Sequence, residues 1–511
     1  MDQGNARQGA AAAEAGEPSP SPFEFARTVL FTALPLAVVF FGSLFHPRDS
    51  DLGWHLRYGE YFAQHGRLLT ENVLSTTMTS YRWVNPSWGT DLITYWVFTA
   101  LGFAGLSALG AAVATAGFWL AARAGGAGPW EMALLAPAFV LLEQPMLLGS
   151  FRAQSLTFPL LGALLFLAHR FEQGDRRWLF LVVPLFVLWT NLHGHFMLGL
   201  GLLGVWAGTY VCVQRYRTGT FSSAKIRTLG LVVLSSALAT LLNPYGVTAH
   251  LETLRHLGDP IARYVLEWNA FPRFSTPWWT LAAWGGVLAA ALVLEARAGA
   301  RAERLPFAAV ALLLYVAAWK ALRFAWPMYL ASIPVIVPLL RRLRPARPAL
   351  AGAATALVLI LSFGWVVQKE LPRRGLRGMS WASYCRVATL CSPASAEFLE
   401  RRPPTGKLLS LYDWGGWLIW RYPGVKPSVD GRMTVWRDAS GYSAFEEYLG
   451  YEWGGRDVDT SEYDVVYVAP NRPIFGRMMG LVSQGRWEVA YSDPLASVFV
   501  RKGRPIARTL P

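Results

Sequence analysis

Residues 46–91 of the 511-residue chain read HPRDSDLGWHLRYGEYFAQHGRLLTENVLSTTMTSYRWVNPSWGTD. Apolar runs flank this stretch, so residues 47–87 form one large polar loop, much longer than the usual connection of ~4 to 6 residues. Two acids, Asp49 and Asp51, directly follow the first apolar run. Carboxylates held at a membrane surface are costly and usually pair, bind metal or act as bases. The loop is therefore the first place to look for chemistry.

The segment after the two acids has the pattern of a short helix. Trp54, Tyr58, Tyr61 and Phe62 recur at helical spacing, which predicts one apolar face lying along the membrane interface. An interfacial helix capped by one of the acids, without any catalysis, accounts for the same residues. This segment alone leaves both interpretations open.

Working outward, apolar runs long enough or nearly long enough to cross a bilayer recur along the chain. Hydrophobic residues make up 53% and charged residues 16%, against roughly 25% charged in soluble domains, which excludes a purely cytosolic enzyme. We predict a polytopic α-helical membrane domain over 28–368 with 11 to 13 transmembrane helices. Run 88–122 is either one long tilted crossing or a pair joined within LGFAGLSALGAA. The runs are 28–46, 88–122, 130–142, 154–168, 178–191, 195–213, 228–243, 276–295, 305–319, 324–340 and 348–368.

The net charge of +14 is explained by membrane orientation. Four loops, 169–177, 214–227, 295–304 and 341–347, carry 14 Lys and Arg residues and should face the cytoplasm. No extended basic surface for nucleic acid is visible, so nucleic acid is not expected as a partner. We expect a multi-pass protein of the inner cell membrane, with residues 1–27 as a disordered cytoplasmic tail.

Residues 369–511 differ from the rest because polar residues increase and apolar runs shorten. We predict a small extracytoplasmic α/β domain with strands in KLLSLY, YDVVYVAP, WEVAYS and SVFVRK and a helix in SPASAEFLERR. Cys385 and Cys391 lie close together in this region, where an oxidising compartment would allow a disulfide.

Two further patterns lie in the C-terminal region. YDWGGWLIW (412–420) predicts a glycine-containing turn followed by an aromatic strand. Asp430 and Arg432 of VDGR form either a structural pair in a turn or part of a glycan-binding surface, and we favour the structural pair.

Together these features resemble the GT-C superfamily of membrane glycosyltransferases, which use polyprenyl-phosphate sugars. The acidic pair after the first apolar run and the short helix in a long external loop carry the general resemblance. More narrowly, a bacterial subgroup is similar in five motifs. They are DLGWHLRYGEYFAQHGRLLTENVLS (51–75), NLHGHF (191–196), NPYG (243–246), EW (267–268) and YDWGGWLIWRYPGVKPSVDGR (412–432).

The resemblance implies inverting transfer of a sugar from a polyprenyl-phosphate donor to an extracytoplasmic glycan, lipid or protein acceptor. Such a transfer needs a carboxylate to deprotonate the acceptor hydroxyl and cations to stabilise the departing phosphate. Asp51, and secondly Asp49, match the superfamily's loop acid by position, as base or as ligands of Mg²⁺ or Mn²⁺. SWGTD (87–91) stands where a Glu-Trp pair is expected, which puts a role for Asp91 in doubt.

Phosphate partners should be cations near the outward ends of helices. Arg152 in LGSFRAQ, and Lys320 and Arg323 in AWKALRF, fit that description, and the fork of arginine suits phosphate oxygens. Snorkelling to the lipid headgroups explains the same positions about as well. Arg323 is the stronger candidate because two apolar runs bring it to a tight corner.

Further substrate contacts are expected from other outward segments. His193 and His195 lie two residues apart, so a continuous helix would point them to opposite sides, although Gly194 could break it; a hydrogen-bonding role at a helix end is favoured for them over metal binding. Glu267 and Trp268 offer an acid and a sugar-stacking ring, with loop packing as an equal alternative. His55, in the first loop, completes the predicted substrate contacts.

Two other functions remain open. One is a lipid-linked glycan ligase or polymerase, which needs no activating metal and typically relies on outward Arg and His residues. The other is a lipid or glycan transporter, although the two-half symmetry common in transporters is not visible. Walker, GxGxxG and GxSxG patterns do not occur in a supporting context, which disfavours nucleotide-driven pumps and soluble hydrolases.

Overall fold

The computed structural model describes residues 22–147, 149–220, 223–259, 261, 264–297, 304–373, 376 and 378–503. The α-helices are α1 (Pro22–Gly42), α2 (Leu52–His65), α3 (Trp88–Ala124), α4 (Pro129–Leu142), α5 (Gln144–Leu147), α6 (Thr157–Glu172), α7 (Val182–Leu192), α8 (Phe196–Thr218), α9 (Ser223–Ala239), α10 (Thr248–Gly258), α11 (Thr276–Arg297), α12 (Leu305–Ala318), α13 (Ala325–Arg342), α14 (Pro348–Trp365), α15 (Leu371–Arg373), α16 (Trp381–Tyr384), α17 (Pro393–Arg401), α18 (Gly415–Arg421), α19 (Ala444–Trp453) and α20 (Pro473–Ser483). Residues 22–27, predicted as tail, belong to α1, and the rest of the predicted tail lies outside the described residues.

A helix occupies most of every predicted apolar run. Because several of these helices are long and apolar enough to cross a bilayer, the protein is an integral membrane protein. Within the described residues, five helical segments are long and apolar enough to cross a bilayer by themselves. They are Trp88–Ala124, Phe196–Thr218, Thr276–Arg297, Leu322–Arg342 and Pro348–Glu370.

Helix α3 is interrupted at Gly102, whose φ of 60° and ψ of −152° are not helical. Glycine occupies such a conformation without steric cost because it has no side chain. The break falls inside LGFAGLSALGAA, the stretch in which the sequence analysis allowed a turn between two helices. Before it, Phe98 contacts the rings of Trp381 and Trp420 in the C-terminal domain. After it, Phe118 lies in the core of the membrane helices, so the two parts of α3 belong to different surroundings.

The C-terminal domain contains a four-stranded sheet in the order β1-β2-β4-β3. Its strands are β1 (Lys407–Ser410), β2 (Tyr463–Val468), β3 (Trp487–Ser492) and β4 (Ser497–Arg501). Strands β1 and β2 are parallel, and β4 pairs antiparallel with both β2 and β3. All four lie within the segments predicted as strands, and α17 lies within the predicted helical segment.

The prediction for YDWGGWLIW was wrong, because this segment forms helix α18 rather than a strand. Short apolar runs do not distinguish helix from strand, and here tertiary packing favours the helix. Helix α18 approaches the start of α2 closely. A methyl group on Gly53 would overlap the backbone oxygen of Gly416, and one on Gly416 would overlap the backbone oxygen of Ser50, just before α2. Helix α18 is thereby held directly against the start of α2.

The first loop shares a hydrophobic core with the C-terminal domain. Leu52, Trp54 and Trp83 from the loop are buried together with Trp414 and Trp436 from the domain. Helix α2 forms as predicted, but its first turns are covered by protein on several sides. Trp54 and Tyr58 of the predicted apolar face are buried in protein, so the expectation that they lie along the membrane interface was wrong.

Candidate active site

Asp49 and Asp51 lie at the start of α2, where the first loop meets the C-terminal domain. The backbone N–H of Asp51 donates to Asp49 Oδ1 at 3.2 Å, and the hydroxyl of Tyr384 donates to the backbone oxygen of Asp49 at 2.5 Å. Gly431 packs so closely that a methyl group there would overlap the Asp51 carboxylate. Burial, with the negative charge of Asp49, raises the pKa of Asp51 to about 7.

His55 is turned toward α3. Its Nδ1 lies 2.5 Å from Asp91 Oδ1, and Asn85 donates to Asp91 Oδ2 at 2.6 Å. Burial alone would lower the pKa of His55, but the Asp91 carboxylate outweighs it and raises that pKa. Asp91 therefore fixes α2 against α3 through His55. The sequence did not reveal this pairing because 36 residues separate the partners.

Arg432 ties the C-terminal domain to the first loop. It forms a fully buried ion pair with Asp430 at 2.7 Å. The same guanidinium donates to the hydroxyl of Tyr58 at 2.9 Å and to Asn72 Oδ1 at 3.2 Å. These contacts support the structural interpretation of VDGR, and Gly431 in the same turn lies against Asp51.

Arg152 and Glu267, predicted separately as substrate contacts, form an ion pair. Arg152 Nη2 lies 2.8 Å from Glu267 Oε1, and Gln154 donates to Glu267 Oε2 at 2.9 Å. Burial would raise the pKa of Glu267, but Arg152 and Arg323 outweigh it and lower that pKa to about 2. Glu267 is thus a carboxylate that orients Arg152 rather than a proton donor.

Arg323 connects the remaining predicted contacts. Its guanidinium carbon lies 3.8 Å from the ring centre of Trp268, and Nη2 lies 2.8 Å from His195 Nε2. Arg323 therefore covers one face of the Trp268 ring, which the sequence analysis expected to stack on a sugar. Lys320, by contrast, is exposed and is not among the residues lining the two cavities described below.

His193 and His195 face the same space. Helix α7 ends at Leu192 and α8 begins at Phe196, so the intervening residues are not helical and the two rings come within 4.3 Å. Burial, together with the positive charges of Arg323 and Arg152, lowers the pKa of His193 to about 3, so its imidazole is neutral. The chain breaks at Gly194, and the two histidines lie at helix ends, as the favoured interpretation expected: His193 follows α7 and His195 precedes α8.

Two cavities meet at Arg323. The first, here called the histidine cavity, has a volume of about 520 Å³. The second, here called the arginine cavity, has a volume of about 640 Å³. The histidine cavity is lined by Trp54, His193, His195, Trp268, Arg323 and Arg432, with an apolar wall from α8. The arginine cavity is lined by Arg48, Asp49, Arg152, Glu267 and Arg323, with apolar residues such as Met146, Phe271 and Trp326.

Asp51 itself lines neither cavity, but residues next to it line both. Its neighbours Asp49 and Ser50 line the arginine cavity, whereas Trp54 and Gly431 line the histidine cavity. The site thus combines a half-buried carboxylic acid with two nearby cavities that have arginine donors and apolar walls.

A divalent cation fits this donor set only in part. Among the described residues, no three His, Cys, Asp or Glu side chains converge as a metal site. Asp49 and Asp51 supply two adjacent carboxylates whose repulsion a hard cation would relieve, and such a cation accepts water or phosphate oxygens as further ligands. The two acids are therefore sufficient to hold Mg²⁺ or Mn²⁺ only together with substrate or water.

A disulfide between Cys385 and Cys391 closes a short loop next to Asp49. Tyr384, adjacent to this bridge, is the donor to Asp49, and Ser383 Oγ lies 2.9 Å from Nε2 of His46. The bridge thus stabilises a segment that contacts the chain on either side of Arg48.

No family model and no curated protein matches this chain. Among solved structures, ArnT from Cupriavidus metallidurans bound to undecaprenyl phosphate is similar, with a TM-score of 0.50 and 14% identity over 92% of this chain and 97% of ArnT. The Archaeoglobus fulgidus oligosaccharyltransferase AglB, in complex with an inhibitory peptide and dolichol-phosphate, has a TM-score of 0.54 and 10% identity over 88% of this chain and 69% of AglB. The same enzyme with Zn and sulfate gives 0.54 and 12% identity over 93% and 73%.

These similarities show that the chain shares the fold of ArnT and AglB, and the fold implied by the resemblance is confirmed. Placement in a bacterial subgroup stays a prediction. Identities of 10 to 14% establish architecture, whereas activity has to be argued from the site.

Proposed function

We propose that this protein is an inverting membrane glycosyltransferase that moves a sugar from a polyprenyl-phosphate donor to an extracytoplasmic glycan, lipid or protein acceptor. The observation that carries the proposal is the acid Asp51, which adjoins Asp49 and Ser50 of one apolar-walled cavity and Gly431 of another, the two cavities sharing Arg323. The structural neighbours that bind undecaprenyl phosphate or dolichol-phosphate support the choice of donor.

In the proposed reaction, the acceptor hydroxyl oxygen attacks the anomeric carbon of the donor sugar. Asp51 takes the hydroxyl proton, and the bond from the sugar to the lipid phosphate breaks with its electron pair on the phosphate oxygen. Arg152 and Arg323 stabilise that charge through N–H donors, and Glu267 holds Arg152 in place. A divalent cation held by Asp49 and Asp51 would supply further neutralisation of the phosphate.

The proposed topology places this site outside the inner membrane. In the proposed topology α3 is counted from Phe103 onward and eleven helices cross the membrane: α1, α3, α4, α6, α7, α8, α9, α11, α12, α13 and α14. Counting from a cytoplasmic N-terminus, the four basic loops then fall inside. Asp51, Arg152, Glu267, Arg323 and the C-terminal domain fall outside.

Replacement of Asp51 tests the proposal. Asp51→Asn should abolish complementation of a gene-deletion strain, measured as the restored sugar on surface glycans or lipids. Glu71→Gln, at an exposed acid of the same loop, is the matched control and should complement fully. Full complementation by Asp51→Asn, at equal protein level, would falsify the assignment of the base.

A metal-independent glycan ligase is the second candidate. The contact between Arg323 and His195, at 2.8 Å in the histidine cavity, is the observation that favours it, because such ligases rely on outward Arg and His residues. Chelation separates the two: loss of transfer with EDTA, restored by Mg²⁺ or Mn²⁺, supports the metal-assisted reaction. Transfer that is indifferent to EDTA supports the ligase.

A further inference from the structure

A third cavity lies at the opposite end of the membrane helices from the candidate active site. Arg323 and Arg341 stand near the two ends of the candidate span Leu322–Arg342, which at 1.5 Å per residue separates them by about 27 Å. Arg323 lines both cavities of the candidate site, whereas Arg341 lines this third one, here called the distal cavity. The distal cavity has a volume of about 470 Å³ and is independent of the sugar-transfer proposal.

Two arginines, Arg304 and Arg341, line the distal cavity together with His169 and one acid, Glu172. Glu172 accepts a hydrogen bond from Nε1 of Trp206 at 3.1 Å. Arg170 and Arg123 lie near His169 as well, so four arginines gather around this cavity.

Arg341 is held in place without being enclosed. Its Nη2 donates to the backbone oxygen of Gly126 at 2.6 Å, and Nε lies 3.3 Å from Glu131 Oε1. The side chain is still 51% exposed, and a guanidinium has five N–H donors, so donors remain for a ligand. On the other wall, α12 begins directly after Arg304, and the N-terminal end of this 14-residue helix carries partial positive charge.

We propose that the distal cavity binds a phosphate group, carried by an anionic lipid headgroup or by a free phosphate compound. Planar guanidinium groups match phosphate oxygens, and basic pockets between transmembrane helices bind anionic headgroups at the cytoplasmic surface. The cavity lies at the end of membrane-crossing helices, which is the depth at which headgroups reside. The ligand would bind on the membrane face opposite the acids.

The test measures ligand-induced thermal stabilisation of the full-length protein in detergent. Phosphatidylglycerol is compared with phosphatidylcholine, and sodium phosphate with sodium chloride at equal ionic strength. The variant is Arg304→Gln with Arg341→Gln. The matched control is Arg344→Gln with Arg347→Gln, two exposed arginines beyond α13 that do not line the cavity. Arg304→Gln alone serves if the double variant folds poorly.

Wild type and control should be stabilised by phosphatidylglycerol, and the double variant should need about tenfold more of it for the same shift, because charge-assisted hydrogen bonds are lost. Stabilisation by phosphatidylglycerol alone identifies a lipid headgroup, and stabilisation by sodium phosphate as well identifies a free phosphate ligand. If wild type responds to neither, or the double variant responds like the control, the proposal is wrong.

Discussion

At the residue scale, Gly431 is the position where the smallest change should have the largest effect on the site. It has no side chain, and the carboxylate of Asp51 occupies the space that a Cβ would need. The residue comes from the C-terminal domain, so that domain shapes the immediate surroundings of the proposed base. The acid and the glycine that admits it are 380 residues apart in the chain.

Gly431→Ala should displace the Asp51 carboxylate and reduce sugar transfer by about tenfold or more, since small displacements in catalytic geometry are costly. Gly424→Ala in the same domain is the control, because a methyl group there would meet only the Glu400 side chain at 3.9 Å. Complementation and protein level are measured for both variants. Equal activity of the two alanine variants would contradict the proposed position of Asp51.

At the scale of elements, α2 is fixed by partners from three parts of the chain. His55 contacts Asp91 of α3, Tyr58 accepts from Arg432, and Gly53 packs against α18. Helix α2, which follows the first apolar helix, is therefore packed against other parts of the protein. The acids before it are positioned by these contacts and not by the loop alone.

Arg432→Met should destabilise the protein strongly, because it leaves Asp430 buried without its partner. The loss of one member of a buried ion pair typically costs about 3 to 5 kcal/mol. Arg437→Met is the control, since Arg437 pairs with Glu446 and Asp259 at the surface, where such pairs contribute roughly 0 to 1 kcal/mol. Thermal unfolding of the purified variants gives the comparison. A similar melting temperature for both variants would show that Arg432 does not hold the domain to the loop.

At the scale of the whole molecule, the orientation can be measured directly. Alkaline phosphatase fused after Gly503 should be active, because the proposed topology places the C-terminal domain outside. Of the three cysteines, only Cys212 should react with a thiol reagent under denaturing conditions without reductant, and all three should react after reduction. An inactive fusion would place the candidate site on the cytoplasmic side and refute the proposed donor geometry.

The sequence predicted the parts of this protein whose signal is local. The apolar helices and the four strands each depend on a few neighbouring residues, and the structure has them at the predicted segments. The two acids follow the first apolar run directly in the sequence. The helix at 415–421 was missed because a short aromatic run fits either period. The contacts of Arg323 with Trp268 and His195, and of His55 with Asp91, join distant segments, so only the folded chain shows them.

Because Arg323 lines both the histidine cavity and the arginine cavity, ligands that contact it from the two cavities would not bind independently. A phosphate that engages this guanidinium from the arginine cavity takes hydrogen-bond donors away from the histidine cavity and cancels positive charge there. By thermodynamic linkage, each ligand must change the affinity of the other by the same factor. One side chain therefore couples the two binding equilibria, and release of an anionic product from one cavity resets the affinity of the other.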